Sequence, residues 1–186
     1  MDKKRIAKYA HAFIGGKPKV ERFYNADESK KIDIMTCEEG YCAGIHTLAT
    51  IGLSSMDIGM TVQNYDLKVE LMLAGIPNNT MLGNILSTIA FQIMDIGTCR
   101  YGMLIPDVIA EYMPNHAMKH VVLMSPVFWN KYKVFTSETE KVAWLLAVPV
   151  SDRERKYILT NGIEVFDRLL GKKKADIFNL VRTSIL

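Results

Sequence analysis

The chain has 186 residues and a mass of 21.0 kDa, which is the length of one domain. Its contents of 49% hydrophobic and 23% charged residues exclude a disordered or low-complexity chain. The net charge of +3 does not indicate a nucleic-acid-binding or membrane-binding protein, and three cysteines in a chain of this length do not indicate a secreted disulfide framework.

The N-terminal segment predicts a helix rather than a targeting sequence. Gly15 and Gly16 mark its end, after four apolar residues at helical spacing, namely Ile6, Tyr9, Ala10 and Phe13. Lys8 and His11 interrupt the apolar run that a signal peptide would need. The longest wholly apolar run, residues 142–150, has nine residues, against about 18 for a membrane span. We therefore expect a cytoplasmic protein.

Strands follow this helix in the first half of the chain. The apolar patterns predict them over residues 20–24, 31–36, 44–51 and 67–73. The third has apolar residues on both faces, which is typical of a central strand. In the fourth, alternation places Lys68 and Glu70 outward and four apolar residues inward, namely Leu67, Val69, Leu71 and Leu73.

The middle of the chain predicts a buried helix and then a long connection. Residues 81–94 contain no charged side chain, with Asn78 or Asn79 as the helix cap and Gly97 as its end. Residues 97–117 are rich in glycine, proline, asparagine and methionine, which indicates an irregular segment.

The last third predicts two buried strands and two helices. The strands cover residues 119–124 and 141–150, and Pro149 is expected to end the second. Ser151 and Glu154 have the spacing of a capping box, Asn161 and Gly162 interrupt the helix that follows, and a second helix runs to Gly171. No repeat or linker divides the chain, so we expect one α+β domain over residues 1–186.

The cysteines and histidines do not form a metal-binding pattern. Cys37 and Cys42 are separated by four residues and His46 follows, but a zinc site needs four such ligands and no second compact pair exists. His116 and His120 have the i, i+4 spacing of a metalloprotease helix but lack its glutamate. We therefore expect neither a metal nor a cofactor.

Motifs for catalysis and for nucleic-acid binding are also missing from the sequence. Ser54 lies in GLSSM, which lacks the closing glycine of a nucleophile elbow, and no glycine-rich phosphate-binding motif occurs. The basic residues 3–5 and 172–174 lie beside acids and lack interleaved aromatic residues, so they indicate solvated helix ends. An enzyme of unrecognised type is the least favoured hypothesis.

Several segments, in order, resemble the suppressor of fused domain family. They are residues 15–25, 31–36, 46–55, 68–73, 120–129 and, above all, 141–170 with the sequence KVAWLLAVPVSDRERKYILTNGIEVFDRLL. The resemblance covers about residues 10–172 and leaves a C-terminal tail over 172–186. It implies an α+β fold with a mixed, largely antiparallel central sheet and helices packed on it. An acidic residue often follows GLS in the family, whereas here Ser55 follows and Asp57 comes later.

This resemblance implies a binding protein and no reaction. Compact bacterial members resemble immunity proteins encoded beside toxins, including antitoxins against toxins of the LXG type. The first hypothesis is therefore an immunity protein that binds a cognate toxin, a nuclease encoded nearby, with no nucleic acid or membrane as partner. The alternative is a peptide-binding module that adds a partner strand to its sheet edge.

The charge constrains how such an inhibitor would act. A protein that mimics nucleic acid in a nuclease cleft is expected to be acidic, whereas this chain has an isoelectric point of about 8.7. The immunity hypothesis then requires either a local acidic patch or binding away from the active site. The candidate partner-binding residues are Glu38 and Glu39 in the turn and Asp57 in the loop after Ser55.

Overall fold

The computed structural model describes residues 2–40, 43–77 and 81–186, which form four α-helices and one sheet of nine β-strands. The helices are α1 (Lys3–Ile14), α2 (Leu82–Ile96), α3 (Asp152–Asn161) and α4 (Ile163–Lys173). The strands are β1 (Lys17–Tyr24), β2 (Lys31–Glu38), β3 (His46–Ile51), β4 (Thr61–Val62), β5 (Tyr65–Gly75), β6 (Leu104–Ile105), β7 (Met118–Met124), β8 (Phe135–Thr136) and β9 (Glu140–Ser151).

The sheet is mixed and largely antiparallel. Its strand order is β1-β2-β3-β5-β9-β7-β6, with β4 paired to β5 and β8 paired to β9. Only β5 and β9 run parallel among the described strands, because α2 and the connection after it carry the chain back between them. The predicted α+β fold with a mixed, largely antiparallel sheet is confirmed.

Both faces of the sheet are covered. One face packs against α2 and the connection of residues 97–117, and the other packs against α1, α3, α4 and the C-terminal residues. The prediction that Lys68 and Glu70 point outward from β5 is therefore wrong. Their face lies under the α1 layer, and Glu70 is fully buried while the Lys68 side chain is only 9% exposed.

The predicted buried helix is confirmed as α2. Its apolar stripe packs on the sheet and is fully buried at Ile85, Leu86, Ile89 and Ile93. Gly97 ends the helix with φ of 75°, and its N–H donates to the Ile93 carbonyl at 2.9 Å. The predicted caps, Asn78 and Asn79, lie outside the described residues.

Pro149 lies inside β9 rather than at its end, which corrects the predicted boundary. The parallel pairing with β5 stops at Leu146, so beyond it β9 pairs only with β7, where Pro149 faces Val121. The Pro149 carbonyl accepts a hydrogen bond from Arg182, so its backbone polar groups point away from β7. The N–H that proline lacks would point to the same side as this carbonyl, away from β7. Its absence therefore removes no hydrogen bond between β9 and β7.

The chain after β9 follows the predicted pattern. The Ser151 hydroxyl accepts from the Glu154 N–H at 3.2 Å, and the Glu154 carboxylate accepts from the Ser151 N–H at 3.0 Å, which confirms the capping box. Gly162 separates α3 from α4 as predicted. The second helix continues past the predicted end, Gly171, to Lys173.

Asp33 on β2 joins the edge strand and the first helix to the sheet. It accepts hydrogen bonds from Arg22 on β1 at 2.7 and 3.3 Å and from Lys3 on α1 at 2.9 Å. The Arg22 hydrogen bonds, assisted by Lys3, hold the pKa of Asp33 below its usual range despite partial burial.

Replacing Asp33 with asparagine is expected to lower the free energy of unfolding by about 1 kcal/mol at neutral pH, because both cations are half-exposed and screened. A lowered pKa contributes stability above the ordinary aspartate pKa and loses it on acidification. The difference between the two proteins should therefore shrink between about pH 5 and pH 3 in urea titrations. The exposed Asp66→Asn variant is the control, with an expected change within about 0.5 kcal/mol. A difference that stays constant over this pH range would contradict the ion-pair account.

Candidate partner-binding surface

The predicted acidic turn lies at the end of β2. Glu38 is the last residue of the strand, opposite Lys17 on β1, and Glu39 begins the turn with φ of 53°. The Glu39 carboxylate lies 3.7 Å from the Lys17 ammonium, and both side chains are exposed. An exposed ion pair contributes little stability, so the carboxylates of Glu38 and Glu39 both remain available to a partner.

The backbone of this turn is held against the end of α1. A Cβ atom at Gly16, whose φ is 74°, would lie 2.1 Å from the Glu38 carbonyl oxygen, and one at Gly40 would lie 2.8 Å from the Ile14 carbonyl oxygen. Only glycine allows both approaches. The turn therefore presents Glu38 and Glu39 from a packed backbone.

Asp57 is also exposed but has local partners. Its carboxylate accepts from the Gly59 N–H at 3.0 Å and lies 3.4 Å from the Lys68 ammonium. The Gly59 hydrogen bond and the Lys68 charge lower the pKa of Asp57. Asp57 therefore neutralises the nearly buried Lys68 as well as facing solvent.

The structure brings Glu38 and Glu39 together but places Asp57 elsewhere. Cys37, next to Glu38, pairs with Thr47 at the start of β3, whereas Asp57 follows the other end of β3 at Ile51. The four residue steps from Thr47 to Ile51 alone span about 13 Å. A single small contact therefore cannot cover all three acids, although a standard interface of about 800 Å² per partner can.

Glu70 is the polar residue that sequence reasoning missed. Its buried carboxylate accepts hydrogen bonds from the Thr50 hydroxyl at 2.6 Å, the Ser54 hydroxyl at 2.7 Å and three backbone N–H groups, those of Gly52, Leu53 and Ser54. Burial raises the pKa of Glu70, and these hydrogen bonds oppose that rise. The sequence feature that could have indicated its burial is an acid flanked by apolar residues in a central strand.

These hydrogen bonds give Glu70 and Ser54 a structural role in the turn after β3. The Glu70 carboxylate receives the donors of the short 3₁₀ turn Leu53–Ser55, where the chain leaves β3. The Thr50 hydroxyl also accepts from the Leu71 N–H at 2.8 Å and extends the contact between β3 and β5. Ser54, examined above against the nucleophile-elbow motif, is buried in this turn. The cluster holds the GLSS segment in place.

Cys37, Cys99 and His120 are buried parts of the fold. Cys37 and Cys99 lie in the cores on opposite faces of the sheet, and burial raises their pKa values to about 11 and about 12. His120 is buried, with Nδ1 accepting from the Asp107 N–H and Nε2 2.9 Å from Asp152. Cys42 lies outside the described residues, and the described residues hold no group of three or more histidine, cysteine, aspartate or glutamate side chains that could bind a metal ion.

The outer edge of β1 is a second candidate surface. β1 pairs with β2 over all eight of its residues and with no other strand in the described part of the chain. Val20 and Tyr24 on it are more than half exposed. An unpaired edge of this length can accept a partner strand, although its lysine, glutamate and proline residues disfavour unspecific pairing.

Comparison with known proteins identifies the family. The family model for suppressor of fused protein (SUFU) matches residues 28–183. The chain belongs to the suppressor of fused family. The resemblance read from the sequence is thereby confirmed. Immunity protein YqcF of Bacillus subtilis (strain 168) is 30% identical to this chain over 187 residues, which cover 100% of this chain and 97% of YqcF.

Solved suppressor of fused structures share the fold. A putative homologue from Neisseria gonorrhoeae FA 1090 superposes with a TM-score of 0.72 at 11% identity, covering 99% of this chain and 96% of that one. The Sufu-Fu complex gives 0.69 at 12%, covering 97% and 91%. Drosophila Suppressor of Fused gives 0.59 at 16%, with 93% of this chain on 44% of that one. The described helices of this family member include none that is both long and apolar enough to cross a membrane.

Proposed function

We propose that this member of the suppressor of fused family is an immunity protein that binds a cognate toxin and neutralises it without catalysis. The observation that carries the proposal is its 30% identity to an immunity protein over the whole of this chain. At that identity and coverage, the likeness extends beyond one shared motif.

The chemistry of the described residues fits binding rather than catalysis. The most buried carboxylates, Glu70 and Glu154, are engaged by hydrogen-bond donors of the fold itself. The buried thiols have raised pKa values, which makes them poor nucleophiles at neutral pH. Both features support a chain that acts through its surface.

The proposal extends to the partner and the compartment. We propose that the toxin is a nuclease of the LXG type, encoded by the neighbouring gene, and that the two proteins meet in the cytoplasm. A nuclease cleft is basic because it binds phosphates, so exposed acids are the complementary groups. Glu38 and Glu39, with Asp57 at the far end of β3, are the proposed contacts.

Co-expression with the product of the neighbouring gene tests the function. The toxin alone is expected to arrest growth, and its co-expression with this chain is expected to restore growth and yield a complex on purification. Nuclease activity of the purified toxin should then fall as this chain is added. A neighbouring product that is harmless, or that is toxic and never bound, would exclude the immunity function.

Charge reversal tests the acidic turn. The double variant Glu38→Lys, Glu39→Lys is expected to weaken toxin binding about tenfold or more in titration calorimetry, because it replaces attraction by repulsion. The matched control is Glu111→Lys, Glu138→Lys, which makes the same change at two exposed acids away from the turn. Equal affinities for the two double variants would remove the turn from the interface. Asp57→Asn tests the third acid separately.

Strand addition at β1 is the second candidate function, favoured by the unpaired edge of that strand. Hydrogen exchange on the complex separates the two modes. Protection of the β1 amides indicates strand addition, because a new strand would pair with the free backbone groups. Protection around Glu38 and Glu39 without β1 indicates contact through the acidic turn.

A further inference from the structure

An apolar groove opens on the face of the sheet that carries α4. It has a volume of about 560 Å³, within the range of about 300–1,000 Å³ that is usual for ligand sites. Its walls come from β7, β9, α4 and the C-terminal residues, with Met124, Leu146, Val148, Leu170 and Ile177 among them.

Two hydrophobic residues stand at this groove on the loop after β7. Val127 is 70% exposed and Phe128 is 45% exposed, and both line the groove. The Phe128 ring packs edge-on against Phe178 of the C-terminal segment at 5.7 Å. A neighbouring pair of exposed apolar side chains beside an apolar cavity marks a surface suited to contact with another molecule.

A glycine on α4 leaves one wall of the groove without a side chain. Asp167, Leu170 and Gly171 have the i, i+3 and i+4 spacing of one face of α4. They line the groove together with Lys174, which follows the helix with φ of 51°. Gly171 lies inside the helix without a positive φ, and a Cβ atom there would meet nothing within 4 Å. Glycine is a poor helix former, so neither backbone conformation nor crowding accounts for it. Its effect is to leave the groove open.

The charge beside the groove is positive on balance, because residues 172–176 carry three lysines and one aspartate, Asp176. Lys172, Lys173 and Lys174 form no ion pair with any described residue, although Lys174 lines the groove. Asp167, which lines the groove, interacts with the Tyr101 hydroxyl. Lys131 and Lys133 add two exposed cations on the loop that carries Phe128.

We infer that this groove docks an acidic segment of the cognate toxin. Apolar side chains of that segment enter the groove, and its carboxylates face the lysines of residues 172–174. An amphipathic segment with apolar anchors in a groove is a common mode of peptide recognition. The inference rests on the proposed function and names a surface separate from the acidic turn, since three strand steps of about 4.8 Å separate β2 from β9.

Filling the groove tests this inference. Gly171→Leu is expected to weaken binding of the purified toxin at least tenfold, because the new side chain occupies the place of an anchor. Thr160→Leu on α3, an exposed position outside the groove, is the matched control and should bind like the wild-type chain. Circular dichroism checks that both variants fold. Gly171→Ala, a smaller change that favours the helix, is the second variant if the leucine variant does not fold, with an expected loss of about threefold.

Charge reversal at the lysines tests the inference independently of the groove's volume. Lys173→Glu, Lys174→Glu is expected to weaken toxin binding at least tenfold and to reduce its salt dependence. Lys4→Glu, Lys8→Glu makes the same change at two exposed positions on α1 and should have little effect. Wild-type affinity in both Gly171→Leu and Lys173→Glu, Lys174→Glu would overturn the groove inference while leaving the immunity function intact.

A synthetic probe separates this inference from the proposed function. If the wild-type chain binds no toxin, the proposed function fails, and the groove is then titrated with the acidic peptide acetyl-Asp-Glu-Leu-Phe-Glu-Asp-amide. Binding that Gly171→Leu abolishes, and that a lysine-substituted peptide lacks, supports a groove for acidic segments. The inference is overturned if the acidic peptide does not bind, or if the groove binds the fatty acid laurate instead of the peptide.

Discussion

Replacing Arg182 with methionine is expected to lower the free energy of unfolding by about 3–5 kcal/mol, because it leaves the buried charge of Glu154 without its cation. The Arg182 guanidinium donates to both oxygens of Glu154, at 2.7 and 2.9 Å, and to the Pro149 carbonyl at 2.8 Å. Both side chains of the ion pair are almost completely buried.

This ion pair attaches the C-terminal segment to the sheet. Glu154 also accepts from the Ile185 N–H at 3.0 Å, so its carboxylate joins the capping box of α3 to the last residues of the chain. Ile177 and Leu180 of the same segment are buried, one on each face of the sheet. Loss of Arg182 should therefore also expose the C-terminal segment to proteases.

Urea unfolding and limited proteolysis check this prediction. Arg153→Met is the matched control, since Arg153 is the exposed neighbour of Glu154 and its loss should cost less than about 0.5 kcal/mol. The double variant Glu154→Gln, Arg182→Met should be less destabilised than Arg182→Met alone, because no buried charge is left uncompensated. Equal losses for Arg182→Met and Arg153→Met would contradict the role assigned to the ion pair.

Replacing Glu70 with alanine is the second change with a large expected effect, a loss of about 3–5 kcal/mol. The substitution removes the acceptor of five hydrogen bonds and leaves three backbone N–H groups of the turn after β3 without it. It also opens a cavity between β5 and that turn.

Smaller changes around Glu70 measure the parts of this cluster. Glu70→Gln keeps the volume but points an amide nitrogen at N–H donors, so its loss should be smaller, about 2–3 kcal/mol. Thr50→Val removes one hydroxyl and should cost about 1 kcal/mol. The exposed Glu21→Gln on β1 is the control. Chemical denaturation measures all four variants, and wild-type stability in Glu70→Ala would show that the turn forms without its acceptor.

The elements predicted correctly are those specified by neighbouring residues. The stripes of α1 and α2, the glycines that end them and the capping box of Ser151 and Glu154 involve side chains within one or two helical turns. The sequence of residues 141–170 also carried most of the resemblance by which the family was recognised. Local spacing and order were enough for these features because the interactions that form them are local.

The predictions that failed depended on distant residues. Alternation along β5 could place Glu70 on one face but could not show that α1 and its layer cover that face. Pro149 is tolerated inside β9 because the pairing with β5 has already ended and Arg182 binds its carbonyl. For the candidate acids, the sequence named the residues, while the strand pairing decided that Asp57 lies away from Glu38 and Glu39.

By itself, the sequence determined the α+β class and the order of the main helices and strands, since periodicity and caps act over a few residues. The family was identified separately, by the resemblance of its segments to known members. Only the tertiary structure decided which polar groups are buried. Glu70 meets Thr50 across 20 positions, and Glu154 meets Arg182 across 28. Burial depends on which distant segment covers a face, and a carboxylate can be buried only where such a segment supplies hydrogen-bond donors or a cation.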